Sequence, residues 1–208
     1  VRQQSMATSP VDLLHFEREA YRRGCRLVSG IDEVGRGPLA GPVVAAAVIL
    51  PQGIELPGVR DSKDLTSAQR DARYQDILSR ASAVGIGSIE PAEIDRINIL
   101  QATFKAMIQA IESLPLPPDF LLIDGPYRLP VTTAQKGIPR GDQRSISIAS
   151  ASIVAKVYRD RLMCEWDTRY PAYGFAQNKG YGTARHLEAL RRHGPCPLHR
   201  LSFRGVVS

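Results

Sequence analysis

Hydrophobic residues fall into short apolar runs that alternate with longer segments of helical character. The runs predict strands at 26–31, 43–50, 83–89 and 120–123. The longer segments predict helices at 11–23, at 66–80 with Thr66 as the N-cap, at 93–114 in one piece or in two around Asn98, at 147–169 and at 183–193. Residues 126–141 are rich in Pro and Gly and predict a loop holding a short strand, and 173–182 predict a second loop. Because strands and helices alternate over most of the chain, the pattern predicts an α/β fold with a helical C-terminal segment.

Length and composition narrow the class of protein. The 208 residues are 43% hydrophobic and 23% charged, which suits one sizeable domain and argues against disorder. We therefore predict a single domain over residues 1–208, with an N-terminal extension and helix at about 1–26 and a C-terminal loop and helical segment at about 171–208. The longest apolar stretch is too short to cross a membrane. The three cysteines form no CxxC pair, and no signal peptide is evident, so we expect a cytoplasmic protein without a membrane partner.

Charge is unevenly distributed along the chain. The net charge is +6, with −3 over residues 1–125 and +9 over residues 126–208. A basic C-terminal portion on a slightly acidic body is typical of a polyanion-binding protein, although a soluble basic surface without a partner explains it equally well.

Four acidic residues lie at predicted strand ends or helix starts: Asp32, Glu33, Asp124 and Asp142. Side chains at the carboxyl ends of strands in an open α/β sheet converge on one edge, where ligands usually bind. Oxygen donors without His or Cys suit Mg²⁺ or Mn²⁺ better than Zn²⁺, and two such ions serve phosphodiester hydrolysis. Taken singly, each carboxylate is more commonly a helix cap or a solvated turn residue.

A glycine turn, Gly35-Arg36-Gly37, follows the first acidic pair. Neighbouring residues of a strand face opposite sides, so we expect Asp32 and Glu33 to share a site only if the chain bends there, which the glycines allow. Glycines also let a backbone approach a ligand, and an arginine between them can hold a phosphate. A tight turn with a surface arginine is the simpler alternative.

Other polar segments also have two readings. Tyr181, between Gly180 and Gly182, is suited to stacking on a sugar or base, or to packing on the core. Lys63 lies in a loop where it can contact phosphate. The segment 199–203, HRLSF, either faces phosphates or docks on the body. Serines at 145–152 allow close helix packing or an anion at the helix N-terminus.

These segments, in this order, resemble one family. The segment 30–43, GIDEVGRGPLAGPV, is similar to the opening signature of bacterial ribonuclease HII, the type 2 ribonuclease H. Further motifs resemble those of the family at 61–63 (DSK), 122–125 (LIDG), 141–142 (GD), 147–160 (SIASASIVAKVYRD), 173–183 and 199–203. The resemblance covers about residues 27–203.

The resemblance implies a ribonuclease H-like fold, with a five-stranded mixed sheet, flanking helices and a C-terminal helical segment. It implies an endonuclease that cuts the RNA strand of RNA–DNA hybrids and incises 5′ to single ribonucleotides in duplex DNA, leaving 3′-hydroxyl and 5′-phosphate ends. Such an enzyme serves ribonucleotide and RNA primer removal. We expect a monomer that uses Mg²⁺ or Mn²⁺, with two ions during catalysis.

The resemblance also assigns residues. The matched metal-binding catalytic residues are Asp32, Glu33, Asp124 and Asp142. The matched substrate-binding residues are Gly35, Arg36, Gly37, Lys63 and Tyr181, of which Tyr181 reads the RNA–DNA junction. Two alternatives stay open: another nuclease of this fold, such as a resolvase or integrase that cuts all-DNA substrates, and a basic nucleic-acid-binding module without catalysis.

Overall fold

The computed structural model describes residues 12–59 and 65–207. The strands are β1 (Val28–Val34), β2 (Val43–Ile49), β3 (Ala83–Ile89), β4 (Phe120–Asp124) and β5 (Ala134–Ile138). The α-helices of this part of the chain are α1 (His15–Arg22), α2 (Ser67–Arg80), α3 (Pro91–Ile97), α4 (Ile99–Glu112), α5 (Ile146–Arg169), α6 (Phe175–Asn178) and α7 (Ala184–His193). The α/β class is confirmed, and the predicted start of the first helix at residue 11 lies outside the described residues.

The five strands form one mixed sheet in the order β3-β2-β1-β4-β5. β1 and β2 are antiparallel, as are β2 and β3, whereas β4 is parallel to β1 and β5 is parallel to β4. This confirms the expected five-stranded mixed sheet. Because β1 and β4 are parallel neighbours, their C-terminal ends lie side by side.

Glycines let helices lie directly on both faces of the sheet. A methyl group on Gly30 of β1 would come 2.1 Å from the carbonyl carbon of Ser147 in α5. A methyl group on Gly87 of β3 would likewise come 2.1 Å from the carbonyl oxygen of Ala106 in α4. Since no side chain fits at such distances, α5 packs closely on β1 and β2, and α4 on β3 and β2.

Helix boundaries follow local capping chemistry. Thr66 and Gln69 form a reciprocal capping box at the start of α2. Asn98 has a φ of 68°, which separates α3 from α4, and its side chain accepts hydrogen bonds from the first N–H groups of α4. Ser145 caps α5 in the same way, by accepting from the N–H of Ile148.

The C-terminal segment packs as a separate apolar cluster against the far end of α5. Phe175 is fully buried, and its ring stacks on that of Tyr173 with centroids 5.4 Å apart. This burial supports the single turn of α6, so the prediction of a continuous loop over 173–182 was wrong in that detail. Within the described residues, no helix has the length and apolar character needed to span a membrane. That the whole chain is one domain stays a prediction.

Candidate active site

A cavity of about 380 Å³ opens where β1 and β4 end side by side. The structure brings all four predicted carboxylates to this cavity, from β1, from the end of β4 and from the turn before α5. Its lining residues are Asp32, Glu33, Val34, Arg70, Asp124, Asp142, Ser152, Ile153 and Lys156. Two cationic side chains and one hydroxyl group of this lining were absent from the predicted set: Arg70, Lys156 and Ser152.

β1 continues through its two carboxylates to Val34, so the prediction that the strand ends before Asp32 was wrong. β2 runs alongside and pairs with both acidic residues in an uninterrupted register. β4, by contrast, pairs with β1 only as far as Ile31. Because β1 is open on the β4 side beyond that point, Asp32 and Glu33 both reach the cavity without a bend in the strand.

Asp124 and Asp142 are tied together through the turn that precedes α5. Asp124 is the last residue of β4, and Asp142 lies on a 3₁₀ turn at Gly141–Gln143. The backbone N–H of Gly141 donates to Asp124 Oδ1 at 2.6 Å. A methyl group on Gly141 would come 2.5 Å from Ile148 Cδ1, so glycine is needed for this approach. Asp142 is itself buried.

Burial, and to a smaller extent mutual repulsion, raises the pKa values of Asp32, Glu33 and Asp124. Burial raises the pKa of Asp32 well above its ordinary value, and the charges of Glu33 and Asp124 raise it further. Burial also raises the pKa of Glu33, against the opposing effect of Arg36. The pKa of Asp124 is raised chiefly by burial, although the Gly141 N–H opposes the shift. These sites therefore resist ionisation when no cation is near.

The donor set fits a hard divalent cation. Every candidate ligand is a carboxylate, and Glu33 Oε2 is buried without a hydrogen-bond partner. A bound cation would satisfy this oxygen and relieve the mutual repulsion of the carboxylates. Across 12–59 and 65–207, however, no three His, Cys, Asp or Glu side chains stand at the spacing of a formed metal site. The four carboxylates share one cavity, and their role as ligands stays a prediction.

The Gly35-Arg36-Gly37 turn lies beside Glu33. Gly35 has a φ of 91°, and a methyl group there would come 2.3 Å from Arg159 Nε, so no other residue fits. Arg36 Nη1 donates to Glu33 Oε1 at 3.3 Å and to Tyr127 Oη at 3.4 Å. Its side chain is 37% exposed, so the guanidinium group is accessible at the rim of the cavity.

Two buried arginines hold this turn from below. Arg159 of α5 donates to the carbonyl oxygens of Ala40, Pro42 and Lys179 at 2.9–3.0 Å. Arg200 donates to those of Gly35, Arg36 and Gly41. For the segment 199–203 we offered two interpretations, contact with phosphates or packing against the rest of the domain. Arg200 packs against the rest of the domain. The sequence offered no signal that set Arg159 apart from Lys156 and Asp160, the other charged residues of the helix motif at 147–160.

Tyr181 lies next to the glycine turn. Its side chain is 46% exposed, and a methyl group on Gly37 would come within 3.8 Å of its Cε1. Gly180 has a φ of 85°, and its carbonyl oxygen accepts from the N–H of Leu39 at 2.8 Å. The two glycine-flanked elements, far apart in sequence, thus form one surface. Lys63, the remaining predicted substrate contact, lies outside the described residues.

Sequence reasoning did not assign several residues of this region. Lys156 lines the cavity and pairs with Asp160 at 2.8 Å. Ser152 also lines it, and its hydroxyl group lowers the pKa of Asp32. Both lie in the helix motif that was quoted for its resemblance, so the signal was present without a role attached. The serines at the start of α5 meet both readings offered for them: the Ser147 backbone packs closely on Gly30, and the Glu17 carboxylate at the helix N-terminus accepts from Ser145 Oγ and from the Ser147 N–H.

Comparisons with known proteins agree with this geometry. The family model of ribonuclease HII matches residues 29–206. The chain is 69% identical over 196 residues to the ribonuclease HII of Syntrophobacter fumaroxidans, covering 94% of this chain and 84% of that one. It also superposes on the crystal structure of ribonuclease H2 from Pyrococcus horikoshii OT3 with a TM-score of 0.75 at 27% identity, covering 86% of this chain and 95% of that one.

A more distant likeness extends the fold comparison. The crystal structure of Bst-RNase HIII in complex with Mn²⁺ gives a TM-score of 0.68 at 17% identity, covering 99% of this chain and 74% of that one, and supports the fold alone. The family match and the high identity remove both the resolvase-like and the non-catalytic alternatives. The chain therefore belongs to the ribonuclease HII family and is a hydrolase of the ribonuclease H type.

Proposed function

We propose that this protein is a metal-dependent endonuclease that cuts the RNA strand of RNA–DNA hybrids and incises 5′ to single ribonucleotides in duplex DNA. The products are a 3′-hydroxyl and a 5′-phosphate. One observation carries the proposal: four carboxylates from three segments line a single cavity, and the glycine turn that contacts Glu33 also adjoins Tyr181. Hydrolysis and ribose recognition are thereby assigned to adjoining surfaces.

Asp32, Glu33, Asp124 and Asp142 would hold Mg²⁺ or Mn²⁺, with two ions during catalysis. Bound divalent ions supply an activated water and stabilise the leaving oxygen in phosphodiester hydrolysis. The fit rests on the all-oxygen donor set and on the buried, unpartnered Glu33 Oε2. The Gly141 N–H would hold Asp124 in place for this purpose, because it fixes the carboxylate oxygen Oδ1.

Substrate binding would come from cations and backbone groups around the cavity. Arg70 and Lys156 place positive charge on the cavity wall, and Arg36 adds a third cation at the rim. These groups attract the phosphodiester backbone, and the basic portion after residue 125 adds salt-sensitive affinity for duplex. Lys63 stays a predicted phosphate contact.

Recognition of ribose would use the 2′-hydroxyl, which distinguishes RNA from DNA. The Gly35-Arg36-Gly37 backbone can approach this hydroxyl because no side chain intervenes at either glycine. Tyr181, half exposed beside Gly37, would pack on the sugar at the RNA–DNA junction. Roles in ribonucleotide and primer removal, the monomeric state and the cytoplasmic location stay predictions.

A labelled DNA duplex with one ribonucleotide tests the proposal, beside an all-DNA duplex, in Mg²⁺, Mn²⁺ or EDTA. We expect one metal-dependent cut 5′ to the ribonucleotide, and extension of the product by a polymerase reports its 3′-hydroxyl. Cutting of the all-DNA duplex, or cutting in EDTA, would refute the assigned substrate or cofactor class.

Site variants localise the chemistry. Asp124→Asn removes a proposed ligand and should lower cleavage by ~10²-fold or more, while duplex binding persists. Asp76→Asn, on α2 and away from the cavity lining, is the control. Tyr181→Ala should impair cleavage at a single ribonucleotide more than duplex binding, and Tyr181→Phe separates the contribution of the ring from that of the hydroxyl. Full activity of Asp124→Asn would contradict the proposed ligand set.

A further inference from the structure

Two consecutive residues near the C-terminus, His199 and Arg200, lie beneath the two glycine-flanked elements. Their exposed fractions are 2% and 0%, so neither side chain can touch a substrate. Each nevertheless contacts one element, Arg200 directly and His199 through His186. The segment enters this position beside Leu39 and Ala40, through the Arg200 N–H to Leu39 carbonyl bond at 2.9 Å.

Arg200 determines how the glycine turn presents its peptide groups. Its guanidinium group forms no salt bridge with a carboxylate of the described residues and donates instead to backbone carbonyl oxygens. The carbonyl oxygens of Gly35 and Arg36 therefore point inward. In a trans peptide the N–H points opposite to the C=O. The N–H groups of Arg36 and Gly37 are consequently directed away from Arg200, toward the outer surface of the turn.

His199 and His186 form a hydrogen-bonded chain with one proton order. The Cys196 N–H donates to His199 Nδ1 at 2.9 Å, which places the proton of a neutral His199 on Nε2. His199 Nε2 lies 3.0 Å from His186 Nε2, which must then accept. His186 consequently carries its proton on Nδ1 and donates to the carbonyl oxygen of Tyr181 at 2.8 Å.

We propose that His199 and Arg200 are positioning residues for ribose recognition: Arg200 orients the peptide groups of the Gly35-Arg36-Gly37 turn, and His199, through His186, holds the backbone of Tyr181 beside it. This inference rests on the proposed function, because it assumes that the turn and Tyr181 contact the substrate. It adds that the adjacent C-terminal pair fixes the peptide groups on both sides of the direct Leu39–Gly180 hydrogen bond that joins the two elements.

Tyr181 needs such support because it stands between two glycines. Gly180 and Gly182 allow the backbone many conformations, so an unrestrained Tyr181 would lose entropy on binding substrate. The His186 bond restricts that freedom before the substrate arrives, together with the Thr183 N–H, which donates to the same Tyr181 carbonyl oxygen. Burying the Arg200 charge without an ion pair is costly, and apolar residues would dock the segment at lower cost. A positioning role accounts for retaining the guanidinium group.

The test is a double-mutant cycle with kinetics on the single-ribonucleotide duplex. His186→Leu removes the donor to Tyr181, whereas His186→Asn keeps a donor at the δ position. We expect His186→Leu to lower kcat/KM ~10-fold, His186→Asn to recover most of it, and His186→Leu to add nothing in a Tyr181→Ala background. Arg200→Lys should lower kcat ~10-fold with a smaller change in KM, since it disturbs orientation and not affinity.

If His186 and Arg200 served only to stabilise the fold, the variants would give different results. Tyr173→Phe, which loses a hydrogen bond to the Gly194 carbonyl in the same cluster, is the matched control and should keep kcat near that of wild type. Multiplicative losses in the His186→Leu/Tyr181→Ala double variant, or equal kcat losses in Tyr173→Phe, would overturn the inference. If instead wild type and Tyr181→Ala cut the single-ribonucleotide duplex equally well, the proposed function of Tyr181 fails first. Thermal unfolding of each variant confirms that folded protein is compared.

Discussion

The buried pair His186–His199 predicts a specific acid sensitivity of stability. Burial and the neighbouring His186 lower the pKa of His199 from 6.5 to about 4, and burial also lowers the pKa of His186. In the unfolded chain both imidazoles take up protons near pH 6.5. The folded protein therefore binds fewer protons than the unfolded one between these values. The contribution of His199 is present in full above about pH 6.5 and is lost as the pH falls toward about 4.

The size of the effect follows from the shift. One pKa unit corresponds to about 1.4 kcal/mol, so a shift from 6.5 to about 4 corresponds to roughly 3 kcal/mol in total. Most of it, about 2.5 kcal/mol, is lost between pH 7.5 and pH 4.5. Against a total stability of about 5–15 kcal/mol, that loss is large enough to measure.

The assay is urea unfolding of wild type and His199→Asn at steps from about pH 7.5 to about pH 4.5. Asn keeps an acceptor at the δ position for the Cys196 N–H and has no titrating group. We expect wild type to be the more stable protein near neutral pH, and the gap to shrink by about 2.5 kcal/mol on acidification. Thr103→Val, which loses a buried hydrogen bond to the Ile99 carbonyl, should show a deficit independent of pH. A gap that is constant or widens toward acid would refute the reasoning.

Three further predictions concern the site and its support. In EDTA at neutral pH, Asp32→Asn should be at least as stable as wild type, because a carboxyl group with a raised pKa lowers the stability of the folded protein as the pH rises. Mn²⁺ should raise the thermal midpoint of wild type more than that of the variant. A larger rise for the variant would contradict this prediction. Gly30→Ala should lower the free energy of unfolding in urea by roughly 3 kcal/mol or more, because the new methyl group meets the Ser147 backbone. The control Ser29→Ala should lower it by under about 1 kcal/mol. Equal losses in the two variants would contradict the packing argument. The KM for duplex should rise steeply with salt, and a salt-independent KM would exclude the basic C-terminal portion from binding.

The sequence by itself determined the class of fold and the chemistry of the cavity. Alternating apolar runs and helices predicted the α/β class, because periods of 2 and 3.6 residues reflect local backbone geometry. Thr66 as a helix cap and the break at Asn98 are likewise local properties. The four carboxylates could be predicted as metal ligands because Mg²⁺ and Mn²⁺ prefer oxygen donors. The order of the motifs that contain them resembled one family.

Tertiary structure alone decided how these residues meet. β1 runs through Asp32 and Glu33 because β2 pairs with it there, and the cavity opens because β4 pairs with β1 only as far as Ile31. Neither fact is local in sequence. The buried positions of Arg159 and Arg200 were likewise hidden, since a charged residue reads as exposed until its carbonyl partners from distant segments are known. The burial of Arg159 and the peptide orientation that Arg200 imposes depend on contacts between segments more than a hundred residues apart, and the proton order of the histidine pair depends on how residues 181–199 fold onto one another.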